Sequence, residues 1–262
     1  HHGDRRPVRI WMEAGAGNLN ESVLFLPRVG STNAWAKEHL DEFGPIGAVY
    51  TTNQTAGRGR LGRAWADAPG QALFCTVVLK TPLAQPATLP LFASLAVADT
   101  LYARYGVQCR IKWPNDLLLN GKKIAGILCE SAGDGHALLV GVGVNLGQPQ
   151  AFFEAQGLPH GASLACQGVD VDLDRDPEWL AQYLTDFGFD RALYTYEVEG
   201  FAPYRERYKA ACVNLGRRVT FDGGSGVAGD IDAEGRLVVR TDGGVQKVFT
   251  GEVSVRGIYG AV

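Results

Sequence analysis

This 262-residue chain is poor in the features that most quickly assign a protein to a class. It has one methionine, Met12, and only seven lysines. Its five cysteines (Cys75, Cys109, Cys129, Cys166, Cys212) are odd in number and scattered, with no Cys-x-x-Cys. That spacing supports neither a zinc site nor a disulfide framework, and predicts small core residues in a reducing, cytoplasmic compartment. No run reaches the roughly 18 apolar residues of a transmembrane helix. The N-terminus lacks the compact apolar segment of a secretion signal. The net charge of −3 excludes bulk attraction to nucleic acid or an acidic membrane. Internal repeats and low-complexity tracts are absent. A hydrophobic content of 46% is enough for a real core, and the length suits one large domain plus a small module.

What the chain does have is Gly57-Arg58-Gly59-Arg60-Leu61-Gly62-Arg63-Ala64-Trp65. Glycine allows close backbone approach and lets successive N–H groups point at one anion. The three arginines add planar, permanent donors for carboxylate or phosphate. The spacing fits G-x-G-x-x-G, but no helix is predicted to open on it. A turn at Trp65–Gly70 and the apolar run Ala72–Leu79 follow instead, so a dinucleotide fingerprint is excluded. A Walker A loop is excluded too, because no Gly-Lys-Ser or Gly-Lys-Thr follows.

Val23–Leu26 reads as a first strand, and Ser31 or Thr32 is placed to cap a helix to about Leu40. Gly47–Thr52 reads as a strand leading into the arginine loop, and Leu89–Tyr105 as a core helix. Asn120-Gly121 is a hairpin signal, with Lys122–Leu128 as the returning strand and Ala137–Val144 as another buried strand. Residues 177–207 predict a pair of helices separated near Gly200. After about Ala211 the pattern changes to short strands with Gly/Asp turns (Arg218–Phe221, Leu237–Arg240, Gln246–Phe249), a small barrel-like β module. The expected divisions are an extension at 1–20 whose His1-His2 looks like a tag remnant, a main domain at 21–210, and the module at 211–262.

Three of the seven lysines fall between Lys112 and Lys123. Pro114 makes Lys112-Trp113-Pro114-Asn115-Asp116 a rigid bend offering a lysine, an amide and a carboxylate. Lys123 emerges from the next strand near it. The arginine loop, this bend, Lys123-Ile124-Ala125-Gly126-Ile127-Leu128 and Gly141-Val142-Gly143-Val144-Asn145 occur in that order after Ser31-Thr32-Asn33. Together they resemble the catalytic core of biotin–protein ligases, and Gly251-Glu252-Val253-Ser254-Val255-Arg256-Gly257 resembles that family's C-terminal SH3-like module. The resemblance spans roughly Val23 to Gly257.

The resemblance implies an α+β fold: a mixed sheet flanked by helices, of the class II synthetase-like kind, followed by a small barrel. It implies that biotin and ATP, with Mg2+ accompanying the nucleotide, form biotinyl-5′-adenylate. A lysine of a biotin carboxyl carrier domain then takes the biotin. Arg60, Lys123 and Asp116 carry the chemistry in this reading, with Asp116 either orienting the incoming lysine or helping to hold metal. Ser31, Thr32, Asn33, Gln54, Gly57, Arg58, Gly59, Arg60 and Lys123 line the biotin. Arg60, Arg63, Trp65, Lys112, Asn115, Asn145 and Arg256 line the nucleotide. The short segment before Val23 leaves no room for a helix-turn-helix, so a ligase without sequence-specific DNA binding is expected. A homodimer stays open, and no membrane partner is implied. A lipoate ligase is the first alternative, disfavoured by the arginine loop and the terminal module. A non-catalytic biotin-binding module is disfavoured by the intact pair Arg60 and Lys123, and a DNA-binding repressor by the net charge.

Overall fold

The computed structural model describes residues 9–10, 23–58, 64–65, 68–249 and 253–255. The first five strands are β1 (Arg9–Ile10), β2 (Val23–Phe25), β3 (Ile46–Thr51), β4 (Gly57–Arg58) and β5 (Ala64–Trp65). They are followed by β6 (Ala72–Leu79), β7 (Arg110–Lys112), β8 (Asp116–Leu119), β9 (Lys122–Ala132) and β10 (Ala137–Asn145). Eight of them form one sheet in the order β1-β2-β3-β6-β10-β9-β8-β7, while β4 and β5 pair as a separate ribbon. The first three strands are parallel and all later pairs antiparallel, so the sheet is mixed, as expected. β1 precedes the strand read as the first; two residues are too short a run to show a period.

The central strands are apolar throughout because both faces are covered, the usual reason for a continuous hydrophobic run. Ala48, Tyr50, Cys75, Val77, Val140 and Val142 pack on one face with α2 (Leu89–Tyr105). Val49, Val78 and Leu139 pack on the other, beneath α1 (Thr32–Glu38). Ser31 caps α1 by accepting the Ala34 N–H at 3.3 Å. Asn120 (φ 51°) and Gly121 (φ 77°) turn β8 into β9, the positive-φ pair that a two-residue hairpin demands.

The stretch expected as two helices is more broken. After the short α3 (Gln150–Ala155) come α4 (Asp176–Tyr183), a π-helical turn at Leu184–Asp190, α5 (Leu193–Glu199) and α6 (Arg205–Ala211). The break at Gly200 is present. The wide turn before it brings Gly188 against Ala96 of α2, a tertiary contact that periodicity does not show.

The C-terminal module pairs β11 (Arg218–Phe221), β12 (Gly224–Ile231), β13 (Leu237–Thr241) and β14 (Gly244–Val248), with β15 (Val253–Val255) beside β11. β12 was not expected, because Gly224, Gly226 and Gly229 read as turn; pairing on both sides supplies what its side chains lack. Among the described residues β14 and β15 lie at opposite edges, so the expected barrel is an open antiparallel sheet here. The module packs on the main domain through a shared core of Leu91, Leu95, Ile111, Trp113, Tyr208 and Val239.

Candidate functional site

Cross-strand pairing lays a row of residues across one face of the large sheet: Thr51, Phe74, Gly143, Gly126, Asp116 and Lys112. One step along lies a second row, Val49, Thr76, Gly141 and Leu128. Both rows are on the α1 side. Gly126 and Gly143 bring no side chain of their own to the middle of this face, while Gly141 lies under the Asn33 side chain.

The N-terminus of α1 stands at one end of this floor. The Thr32 N–H donates to Gln54 Oε1 at 3.0 Å. Thr32 Oγ1 lies 2.8 Å from Thr76 Oγ1, and Asn33 Oδ1 lies 2.5 Å from that same hydroxyl. Asn33 Nδ2 donates to Leu128 O at 3.3 Å and Glu130 Oε1 at 2.9 Å, and Lys37 pairs with Glu130 at 2.7 Å. Ser31, Thr32, Asn33, Gln54 and Thr76 are all buried. Gly141 makes room for this cluster: a Cβ on it would sit 2.5 Å from Asn33 Oδ1. Gln54 is held in place because its segment pairs with Val29. The structure therefore brings Ser31, Thr32, Asn33 and Gln54 together, and spends the Asn33 amide on protein partners.

A cation stands at the other end. Lys123 Nζ lies 3.0 Å from Asp116 Oδ1, with both side chains partly exposed. The pairing shifts by one residue between Leu117 and Leu118, which sets Lys123 beside Asp116 rather than one pair further along the hairpin. The Lys123 backbone is pinned from both sides, donating to His160 O at 2.8 Å and accepting from Ala162 N–H at 2.9 Å. The neighbouring bend is braced by the C-terminal module. Trp113 donates its N–H to Asn214 Oδ1 at 2.8 Å and its indole Nε1–H to Gly235 O at 3.0 Å. Tyr208 donates to Pro114 O at 2.7 Å. Lys112 is almost fully buried at the end of the row. Asn115 Nδ2 donates to Ile127 O, and its Oδ1 is buried without a partner. Asn145 Nδ2 donates to Ala162 O at 3.1 Å, while its Oδ1 accepts from Gln148 Nε2 at 3.0 Å.

Burial pushes the Cys75 thiol up to about 12 and raises the Tyr50 phenol as well, so both stay protonated. Among the described residues no group of three or more His, Cys, Asp or Glu is arranged to hold a metal ion. No helix of the described residues is long and apolar enough to cross a membrane.

Nearly the whole chain is similar to known proteins. The Biotin/lipoate A/B protein ligase family matches residues 25–146, and the Biotin protein ligase C terminal domain matches residues 215–256. The biotin--[acetyl-CoA-carboxylase] ligase of Paracoccus denitrificans is 36% identical over 244 residues, covering 88% of this chain and 100% of the relative. This chain belongs to the biotin protein ligase family. The Mycobacterium tuberculosis member with the same description is 32% identical, covering 95% of this chain and 94% of its own. The solved biotin protein ligase from Aquifex aeolicus in complex with biotin and ATP is 25% identical, with a TM-score of 0.74 over 90% of this chain and 98% of its own.

Gly59, Arg60, Arg63 and Arg256 lie outside the described residues, and Arg58 and Trp65 are described by backbone alone, in β4 and β5. Gly57 is buried and pairs with Trp65. Thr76, Glu130 and Gln148 were missed. For Thr76 there was a signal: a lone hydroxyl within the apolar run Ala72–Leu79. For Glu130 there was none, because its partner Asn33 is 97 residues away in sequence.

Proposed function

We propose that this chain uses ATP to convert biotin into biotinyl-5′-adenylate, releasing pyrophosphate, and then transfers biotin to a lysine of a biotin carboxyl carrier domain. Beyond family membership, the arrangement of the floor carries the reading. Three interstrand steps of about 4.8 Å each separate the strand of Thr76 from that of Asp116, roughly 14 Å in all. That length suits a ligand with a small polar head, an apolar chain and a terminal carboxylate. Ser31, Thr32 and Gln54 offer hydrogen bonds to the ureido head, and the stretch of floor at Gly126 and Gly143 takes the bicyclic ring and valerate chain. Asn33 acts through the framework.

The chemical difficulty is that a carboxylate must reach the α-phosphate of ATP, so two anions meet. A preorganised cation at that point lowers the barrier. Lys123, with its backbone held at both sides, fills this role in the proposal. The carboxylate oxygen attacks the α-phosphorus, the bond to the β-phosphate bridging oxygen breaks, and pyrophosphate leaves with the negative charge. Arg58, Arg60 and Arg63 are assigned to the carboxylate and phosphates, and Lys112, Asn115, Asn145, Trp65 and Arg256 to the nucleotide, by resemblance. Mg2+ enters with ATP as part of the substrate and offsets phosphate charge. Asp116, the carboxylate beside Lys123, is the group that would hold it, since Mg2+ is usually bound by one or two carboxylates plus phosphates.

In the second step the carrier lysine attacks the acyl carbon, an amide forms, AMP leaves and one proton is lost from the amine. We place the domain boundary at Ala211 and read the C-terminal sheet as the SH3-like module. The free cysteines fit a reducing cytoplasm. The test is mass spectrometry of a carrier domain incubated with this chain, biotin and ATP. A gain of one biotin that needs ATP is expected. No gain with biotin but a gain with lipoate would overturn the assignment.

A further inference from the structure

Lys123 lies past the end of one of the two strands that flank β9. The pairing of β10 with β9 stops at Val144 and Ala125, short of Lys123. The segment 160–164 takes over at that point and pairs with Lys123 in parallel through Gly161. Both backbone groups of Lys123 go to this segment: the N–H donates to His160 O at 2.8 Å, and the C=O accepts from Ala162 N–H at 2.9 Å. On its other side Lys123 meets β8 just where the register shifts.

The segment is itself clamped. Its far end follows β10, with Leu164 N–H donating to Asn145 O at 3.0 Å and Ala165 N–H to Leu146 O at 2.9 Å. Asn145 Nδ2 donates to Ala162 O at 3.1 Å, and Ser163 Oγ donates to Gln148 O at 2.6 Å. Ala162, Ser163 and Leu164 are wholly buried. α3 bears on the segment through Phe153. A Cβ on Gly161 would lie 2.8 Å from Phe153 Cδ1 and 3.2 Å from Cε1, so the ring rests on the glycine backbone itself. Phe153 is almost fully buried and meets Phe152 edge to face, so the ring is held where it is.

The Lys123 side chain does not set its own position. Its ammonium is a point charge on a flexible four-carbon stem. Its contact with Asp116 is a partly exposed ion pair, a kind that constrains little. A preorganised cation therefore depends on a fixed backbone. We infer that segment 160–164 is a strap that positions Lys123 for adenylate formation, and that Gly161 is the positioning residue on which Phe153 seats the strap beside the lysine. The inference deepens the ligase reading and rests on it. Gly161 touches no substrate; it acts through the backbone bonds of its neighbours His160 and Ala162 to Lys123. The same strap is tied to Asn145 at the end of β10, so one backbone segment spaces the two residues.

The experiment is a double-variant cycle in the full chain, read as biotin-dependent pyrophosphate release at saturating biotin and ATP. Misplacing a reacting group by about 1 Å can cost about 10²-fold, and the smaller shift forced by Gly161→Ala is expected to slow release about tenfold. In a Lys123→Ala chain there is no ammonium left to misplace, so the same substitution should change the rate by less than about twofold. Adding Phe153→Leu to Gly161→Ala gives the new methyl room and should recover most of the rate, although it shortens a core side chain. A merely structural Gly161 would slow both backgrounds by the same factor, and Phe153→Leu would then slow the protein further. Either result overturns the inference, as does a wild-type rate in Gly161→Ala. If Gly161→Ala does not fold, Phe153→Leu alone goes through the same cycle. Its loss of rate must vanish in the Lys123→Ala background, and an equal loss in both backgrounds overturns the inference. A wild-type chain that releases no pyrophosphate with biotin and ATP removes the ligase reading, and the inference with it.

Discussion

Replacing Gly141 by alanine adds one methyl group to the floor of the site, and the surroundings determine its effect. The new Cβ would lie 2.5 Å from Asn33 Oδ1, 2.8 Å from Nδ2 and 2.9 Å from Cγ. A long exposed side chain would swing aside, but Asn33 is buried and held by Thr76, Leu128 and Glu130. Moving it breaks these bonds and leaves the buried Thr76 hydroxyl without its acceptor. Overpacking of this kind costs about 1–3 kcal/mol. Leaving a buried polar group unsatisfied costs a further 1–3 kcal/mol or so. Removing a glycine from a strand returns roughly 0.5–1 kcal/mol. The expected net loss is about 1–5 kcal/mol, a thermal midpoint lower by roughly 2–20 °C. Circular dichroism melts of Gly141→Ala beside wild type measure the midpoint, and titration with biotin measures the accompanying loss of affinity. Asn33→Ala in the same chain should relieve the clash and recover part of the Gly141→Ala loss. A Gly141→Ala protein that melts within a degree of wild type and binds biotin equally well would refute the close-approach argument.

Lys123→Ala should slow pyrophosphate release about 10²–10³-fold, as for loss of one preorganised donor, while a partly exposed ammonium contributes little to the melt; near-normal adenylation would remove Lys123 from the chemistry. Ellman titration of the native protein should modify exposed Cys166 first, because Cys75, Cys109 and Cys129 are pushed up to about 12 by burial; fast reaction of Cys75 would contradict its burial. Burial raises the Asp232 carboxyl, but the Arg236 N–H (2.9 Å) and guanidinium (2.7 Å) outweigh it and hold the group below the usual carboxylate range. That contribution to stability is complete above the unfolded carboxylate pKa of about 3.9 and is lost as pH falls through the lower folded value. Urea denaturation from pH 5 downward should therefore show a shallower acid loss in Asp232→Asn than in wild type, and identical slopes would exclude the linkage.

Local chemistry was legible in the sequence where a residue acts through its neighbours in the chain. Ser31 or Thr32 announced a helix start, Asn120-Gly121 a tight hairpin, Ala72–Leu79 an apolar strand, and Pro114 a bend carrying Lys112 and Asp116. The order of these motifs with Gly141–Asn145 and Lys123 also announced the family, because their spacing follows from one chain threading one sheet. The long-range partners were not legible. Strand register set the glycines in line with Asp116 and Lys112, and a one-residue shift at Leu117 and Leu118 set Lys123 beside Asp116. Packing of the C-terminal sheet decided that Trp113 is a buried brace for the bend. The strand Gly224–Ile231 looked like turn because its stability comes from backbone pairing on both sides, which composition does not encode. Asn33 looked like a ligand-facing amide until Thr76 and Glu130 arrived from strands far along the chain to occupy it. Sequence alone determined which groups this protein has for its chemistry; tertiary structure decided which hydrogen-bonding capacity remains for a ligand, because each buried donor or acceptor satisfied within the protein is withdrawn from the site.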